Sequence, residues 1–156
     1  MYRYDAYDPW AHAEQLGLNV RRGTPSRPDH DGELYLDQRL VILRPGMTRR
    51  KERFTLTHEN YHAIRGDRPI PEGMLLRKRE LKVDRLAAER LIDPQRLQRL
   101  MIEHPDPGHW CLELNITARA LRVYLQYHPE VRLQAEAQTD LCLGGERAVI
   151  EYDGAR

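Results

Sequence analysis

Aromatic bulk and long apolar runs are both scarce in this chain. Phenylalanine occurs once and tryptophan twice in 156 residues, and no stretch approaches the run of about 18 apolar residues that a membrane-spanning helix needs. The opening residues carry no apolar run, which argues against a secretory leader, so a cytosolic protein without membrane contact is expected. Cysteine is limited to Cys111 and Cys142. Two residues so far apart suit neither a disulfide framework nor a zinc knuckle, and reduced thiols are expected. An excess of one charge is missing as well: Lys+Arg 25 against Asp+Glu 24 leaves a net charge of +1. Bulk electrostatics therefore attract the chain to neither nucleic acid nor an anionic membrane, and direct nucleic-acid binding is not favoured. What is present, 40% hydrophobic and 31% charged residues, suits one domain with an ordinary core.

Against that background one stretch stands out, Thr48 to Gly66, TRRKERFTLTHENYHAIRG. Its spacing predicts a helix: Phe54, His58, Tyr61 and His62 recur at i, i+4, i+7 and i+8, with Thr48 as N-cap and Gly66 just past the end. Residues four apart share a helix face, so His58 and His62 can reach one metal ion while Glu59 sits at its flank. This is the HExxH spacing of zinc peptidases. Two neutral imidazoles suit Zn²⁺, and a catalytic site adds a third protein ligand and an open position for water. Glu59 is the candidate general base that takes the proton of that water.

The third ligand is sought downstream. Asp67 to Leu75 carries two prolines and a glycine and reads as a loop, after which Arg77 to Ile92 (RKRELKVDRLAAERLI) is helical by propensity. Its apolar positions Leu81, Ala87, Ala88 and Leu91 leave Glu80 and Asp84 one turn apart. Glu80, eighteen residues beyond His62, is nominated as third ligand. Asp84 is expected to accept the second ring N–H of a ligand histidine, fixing its tautomer. The alternatives stay open: Glu80 as a solvated charge among Lys78, Arg79 and Lys82, and Asp67, Glu72 or Asp84 as the third ligand.

Around these elements the chain reads as follows. Asp8-Pro9 starts a short helix to Gly17; Leu18 to Arg22, Glu33 to Asp37 and Arg39 to Leu43 read as extended runs. The loop Gly23 to Gly32 contains His30, read as a solvated histidine rather than a metal ligand. An unpaired edge of the small sheet is a candidate for receiving an extended peptide. Asp93-Pro94 opens a further helix that ends before His104-Pro105. His104 and His109 in the following loop are candidate oxyanion stabilisers, or else surface histidines. Trp110 to Tyr127 has the outline of a helix-turn-helix with Arg119 and Arg122 on its second helix, read as completion of the core. Leu141 to Leu143 and Ala148 to Tyr152 could pair as a β-hairpin through Gly144-Gly145, with Glu136 to Asp140 as tail.

TRRKERFTLTHENYH followed by ELKVDRLAAERLI resembles the ImmA/IrrE family of metallopeptidases. In that family a basic, Phe-Thr-Leu-containing run leads into HExxH, and a Glu-x-x-Ala-Asn/Asp run with Ala-Ala and an aliphatic pair forms the second helix. The resemblance spans roughly Asp8 to Tyr127. It departs from the pattern at Tyr61, Val83 and Leu86, none of them a ligand position. It implies metal ligation by His58, His62 and Glu80, with Glu59 as base. It also implies a substrate class, helix-turn-helix transcriptional repressors of phages, mobile elements or stress responses.

The expected fold is α+β and zincin-like, a single domain with a small antiparallel sheet, then the zinc helix and a helical C-terminal half. Residues 1–127 would form the metallopeptidase domain and 128–156 an extension. The expected activity is that of a zinc-dependent endopeptidase acting on one regulatory protein. The competing expectation is a non-catalytic repressor-binding, toxin-antitoxin or DNA-binding module on the same scaffold.

Overall fold

Asp8 caps the first helix. In a computed structural model, which describes residues 7–142, its carboxylate accepts the Trp10 and Ala11 N–H groups. Pro9 fills the first position of α1 (Pro9–Gln15), where no N–H is needed. Three short strands follow: β1 (Asn19–Arg22), β2 (Gly32–Tyr35) and, after a 3-10 turn at Leu36–Gln38, β3 (Leu40–Leu43). The sheet order is β1-β3-β2. β1 pairs with β3 in parallel and β2 pairs with β3 antiparallel. The sheet is therefore mixed, which corrects the expectation of an antiparallel one. Only β2 and β3 are joined by a short reversal; the chain from β1 travels through nine loop residues before it enters β2, and so β3 can lie between them.

Thr48 caps α2 (Arg49–Arg65) by accepting the Lys51 N–H. Gly66 closes it in the left-handed region, at φ 65°, where glycine carries no Cβ penalty. The Gly66 N–H donates to the Ala63 carbonyl and the Asp67 N–H to the His62 carbonyl, the paired closure that folds the chain back over the last turn. α2 packs on α1, β2, β3 and α3 (Met74–Leu91). A core of Ala13, Leu18, Val41, Leu43 and Leu56 joins the first helix, the sheet and α2.

α3 starts three residues earlier than propensity suggests and buries Val83, Asp84, Ala87, Ala88 and Leu91. Leu81, expected on the inner face, is 52% exposed, while Val83 is fully buried. The helix is rotated so that Glu80 and Asp84 meet α2, and Leu81, one residue and about 100° further round, is thereby turned away.

The chain packs as two units, Met1–Leu91 and Ile92–Arg156. The second contains α4 (Pro94–Glu103), α5 (Pro107–Leu114), α6 (Ala118–Tyr127) and α7 (Pro129–Cys142). Asp93, Asp106 and Thr117 cap the first three of these with side-chain hydrogen bonds. α7 packs on α4 and α6, so the expected boundary at residue 127 falls inside this unit. Glu136 to Cys142 is helical, not tail or strand; the rest of the expected hairpin lies outside the described residues. Seven α-helices and one three-stranded mixed sheet are present among the described residues, making an α+β protein. None of these helices is long and apolar enough to cross a membrane.

Candidate metal centre

Three side chains from two helices converge in the first unit. His58 and His62, one turn apart on α2, bring their Nε2 atoms to 2.9 Å of each other. Glu80 on α3 sets Oε2 3.1 Å from His58 Nε2 and 3.4 Å from His62 Nε2. These three atoms form the group of His, Cys, Asp and Glu found close enough to share one metal ion among the described residues. A tetrahedral zinc ion about 2.0 to 2.1 Å from each donor sets them roughly 3.3 Å apart, so the observed triangle is close to the required one. The donor set of two imidazoles and a carboxylate fits zinc chemically as well.

The outer nitrogens are also accounted for. His58 Nδ1 lies 2.9 Å from Asp84 Oδ1, and His62 Nδ1 lies 2.9 Å from Asp67 Oδ2. Each Nδ1–H therefore donates to a carboxylate, which leaves each Nε2 as the lone pair aimed at the common point. Without a metal, His58 donates to Asp84 and, through Nε2, toward Glu80.

The electrostatics follow from that arrangement. Burial opposes a charged His58 ring, but the hydrogen bonds to Asp84 and Glu80 and the nearby Glu59 charge outweigh it and push its pKa up to about 10. Burial acts on Glu80 in the direction of protonation, and the two histidines overcome it, holding its carboxyl well below the usual range. For Asp67, too, burial is outweighed, here by the His62 and Arg65 hydrogen bonds, and the carboxyl is held low. Glu59 is different: burial dominates and pushes it up, against the pull of His58 and His62. A buried carboxylate with a raised pKa beside a cation site is suited to accept a proton near neutral pH.

Each residue singled out in the sequence can now be located. His58, His62 and Glu80 come together, with Asp84 behind His58 and Glu59 buried on the same helix. Asp84 and Asp67 lie at the outer nitrogens, outside the close group of three donors. Glu72 is exposed on the α2–α3 loop. His104 and His109 belong to the second unit, where their rings stack at 4.1 Å and the His104 carbonyl accepts the Trp110 indole N–H. The partner missed in the sequence is Asp67. Its signal was Gly66, because the left-handed closure of α2 returns the next residue to the last turn, beside His62.

No family model matches the chain, nor does any curated protein or solved structure.

Proposed function

We propose that this chain is a zinc-dependent metallopeptidase of zincin-like design, related to the ImmA/IrrE family, that cuts a single regulatory protein. One observation carries the reading: three donors of zinc-peptidase type converge, both histidines are oriented by carboxylates, and a buried carboxylate lies next to the first of them. His58, His62 and Glu80 would hold the ion, and Asp84 and Asp67 would keep the two rings in the ligating tautomer.

Zinc held there supplies Lewis acidity, polarising a carbonyl and making water a better nucleophile. Glu59 does the proton work. Its carboxylate accepts the proton of the attacking water and passes it to the amine as the peptide bond breaks, and its raised pKa matches both steps. The edge of β2 away from β3, unpaired among the described strands, belongs to the strand that packs on α2 and is suited to receive the substrate as an extended segment through main-chain hydrogen bonds. The helix-turn-helix repressor as substrate rests on the family resemblance of the α2 and α3 sequences.

The test is Glu59→Gln. The variant is expected to keep about one zinc per chain and to lose cleavage of a helix-turn-helix repressor encoded near its gene. Cleavage at the wild-type rate would remove Glu59 as base.

A second reading draws on α5 and α6. Asn115 ends α5 in the left-handed region, Thr117 caps α6, and exposed Arg119 lies on α6, the outline of a DNA-reading helix pair. Such a module predicts duplex binding that falls steeply with salt and ignores Glu59→Gln.

A further inference from the structure

Arg79 stands one residue before Glu80 in a run of charged residues on α3, yet its side chain is only 16% exposed. Long cationic side chains on a helix ordinarily carry their charged end to water. Here the guanidinium is folded back against the protein. Its Nη1 donates to the Arg68 carbonyl at 2.6 Å, one residue beyond Asp67, the carboxylate that receives His62. Its Nε is buried and has no hydrogen-bond partner. Two other buried side-chain atoms share that condition among the described residues, Arg53 Nε and Asn60 Oδ1, but those two side chains bond the backbone of Tyr7 and Pro9 at the start of α1. Arg79 Nε is the one at the candidate metal centre, 3.8 Å from Glu80 Oε1.

The two oxygens of Glu80 are therefore placed differently. Oε2 faces the Nε2 atoms of His58 and His62, at 3.1 and 3.4 Å. Oε1 lies on the Arg79 side, at a separation somewhat wider than the roughly 3 Å of an N–H···O bond. That division matters for a zinc ligand. A carboxylate bound through one oxygen leaves the fourth position of a tetrahedral ion to water, whereas one that turns both oxygens on the ion occupies that position itself. A donor on the outer oxygen keeps it off the ion, and a buried N–H without an acceptor is a donor in need of one.

We propose that Arg79 is a positioning residue of this site. Its Nε–H holds Glu80 Oε1 when Oε2 is engaged by a metal, which keeps Glu80 a one-oxygen ligand, and its bond to the Arg68 carbonyl ties that ligand to the loop that carries Asp67. With Nε closed off from solvent, Arg79 acts through Glu80 and not on the substrate. Charge gives the inference a sign. A guanidinium beside a cation site repels the ion, so a bystander Arg79 weakens metal binding and its removal strengthens it. Removal of a positioning Arg79 does the reverse.

This inference rests on the metal centre of the peptidase reading, and the experiment separates the two. The full chain, as wild type, Arg79→Met and Arg79→Lys, is titrated with cobalt(II), whose visible absorption gives both the affinity and the geometry at saturation. Wild type should bind about one cobalt per chain, with the intense bands of a four-coordinate site. Arg79→Met keeps an apolar stem and loses the donor. It should bind about 10 to 100-fold more weakly and show, at saturation, the weaker bands of a five-coordinate ion as Glu80 turns its second oxygen inward. Arg79→Lys, which keeps the charge and one donor, should lie between them in both readings, and it decides by the same readings if Arg79→Met loses its far-UV helical signal. Binding as tight as wild type or tighter, or bands unchanged at saturation, would overturn the role of Arg79 and leave the metal centre standing. A wild-type protein that takes up no cobalt would overturn the peptidase reading, and this inference with it.

Discussion

If zinc occupies the proposed site, it must compete with a proton there, and the structure sets the size of that competition. His58 is held protonated with a pKa of about 10 by Asp84 and Glu80, yet its Nε2 is the atom a metal needs. At pH 7 the proton has an advantage of about three pH units, which weakens apparent zinc affinity by roughly a thousandfold, or about 4 kcal/mol. The sign is fixed: zinc takes the unprotonated ring, so affinity rises with pH up to about pH 10 and is level above it. Glu80 is held low by the two histidines and stays charged throughout, so it adds no slope. Between pH 7 and 8.5 the affinity should rise roughly 30-fold, with about one proton released per zinc. Competition with a chromophoric chelator gives the affinity, and calorimetry in buffers of different ionisation enthalpy counts the proton. An affinity independent of pH over that range would refute the protonated His58 held between Asp84 and Glu80.

Two further outcomes follow from the same geometry. Asp67→Asn removes the carboxylate that orients His62 and should weaken zinc binding by about 10 to 100-fold without changing the stoichiometry at saturation; unchanged affinity in the same chelator competition would show that the His62–Asp67 bond is idle. Gly32→Ala forces a methyl group against Thr55 and should cost about 1 to 3 kcal/mol of stability, which an unshifted denaturant midpoint would contradict.

The local signals were strong wherever a residue acts on its own neighbourhood. Thr48 and Gly66 bounded α2, and Asp8 and Asp93 each proved to be the N-cap that its position suggested. Capping and helix periodicity involve residues three or four apart, so the chain carries them in one short stretch. The spacing of His58 and His62 is of the same kind. Glu80 and Asp84 were also legible, because one turn of helix separates them and a loop plus one turn returns the chain to α2. The rotation of α3 was not, since Leu81 and Val83 are equally apolar and only packing against α2 decides which is covered. Strand direction in the sheet escaped for a similar reason: β1 is too short for its sequence to reveal whether its partner runs parallel or antiparallel.

The amino-acid sequence by itself determined the helix that carries His58, Glu59 and His62 and its two ends, and it nominated Glu80 on the next helix among other candidate third donors. Tertiary structure alone decided which carboxylate serves which nitrogen, giving Asp84 to His58 and Asp67 to His62. It also decided that β2 brings Gly32 against Thr55 and the flank of Glu59. The reason is one of range. Helix spacing is set by bonds along a few residues, whereas the partners of a buried imidazole are set by which distant surfaces pack together and leave no polar atom without its hydrogen bond.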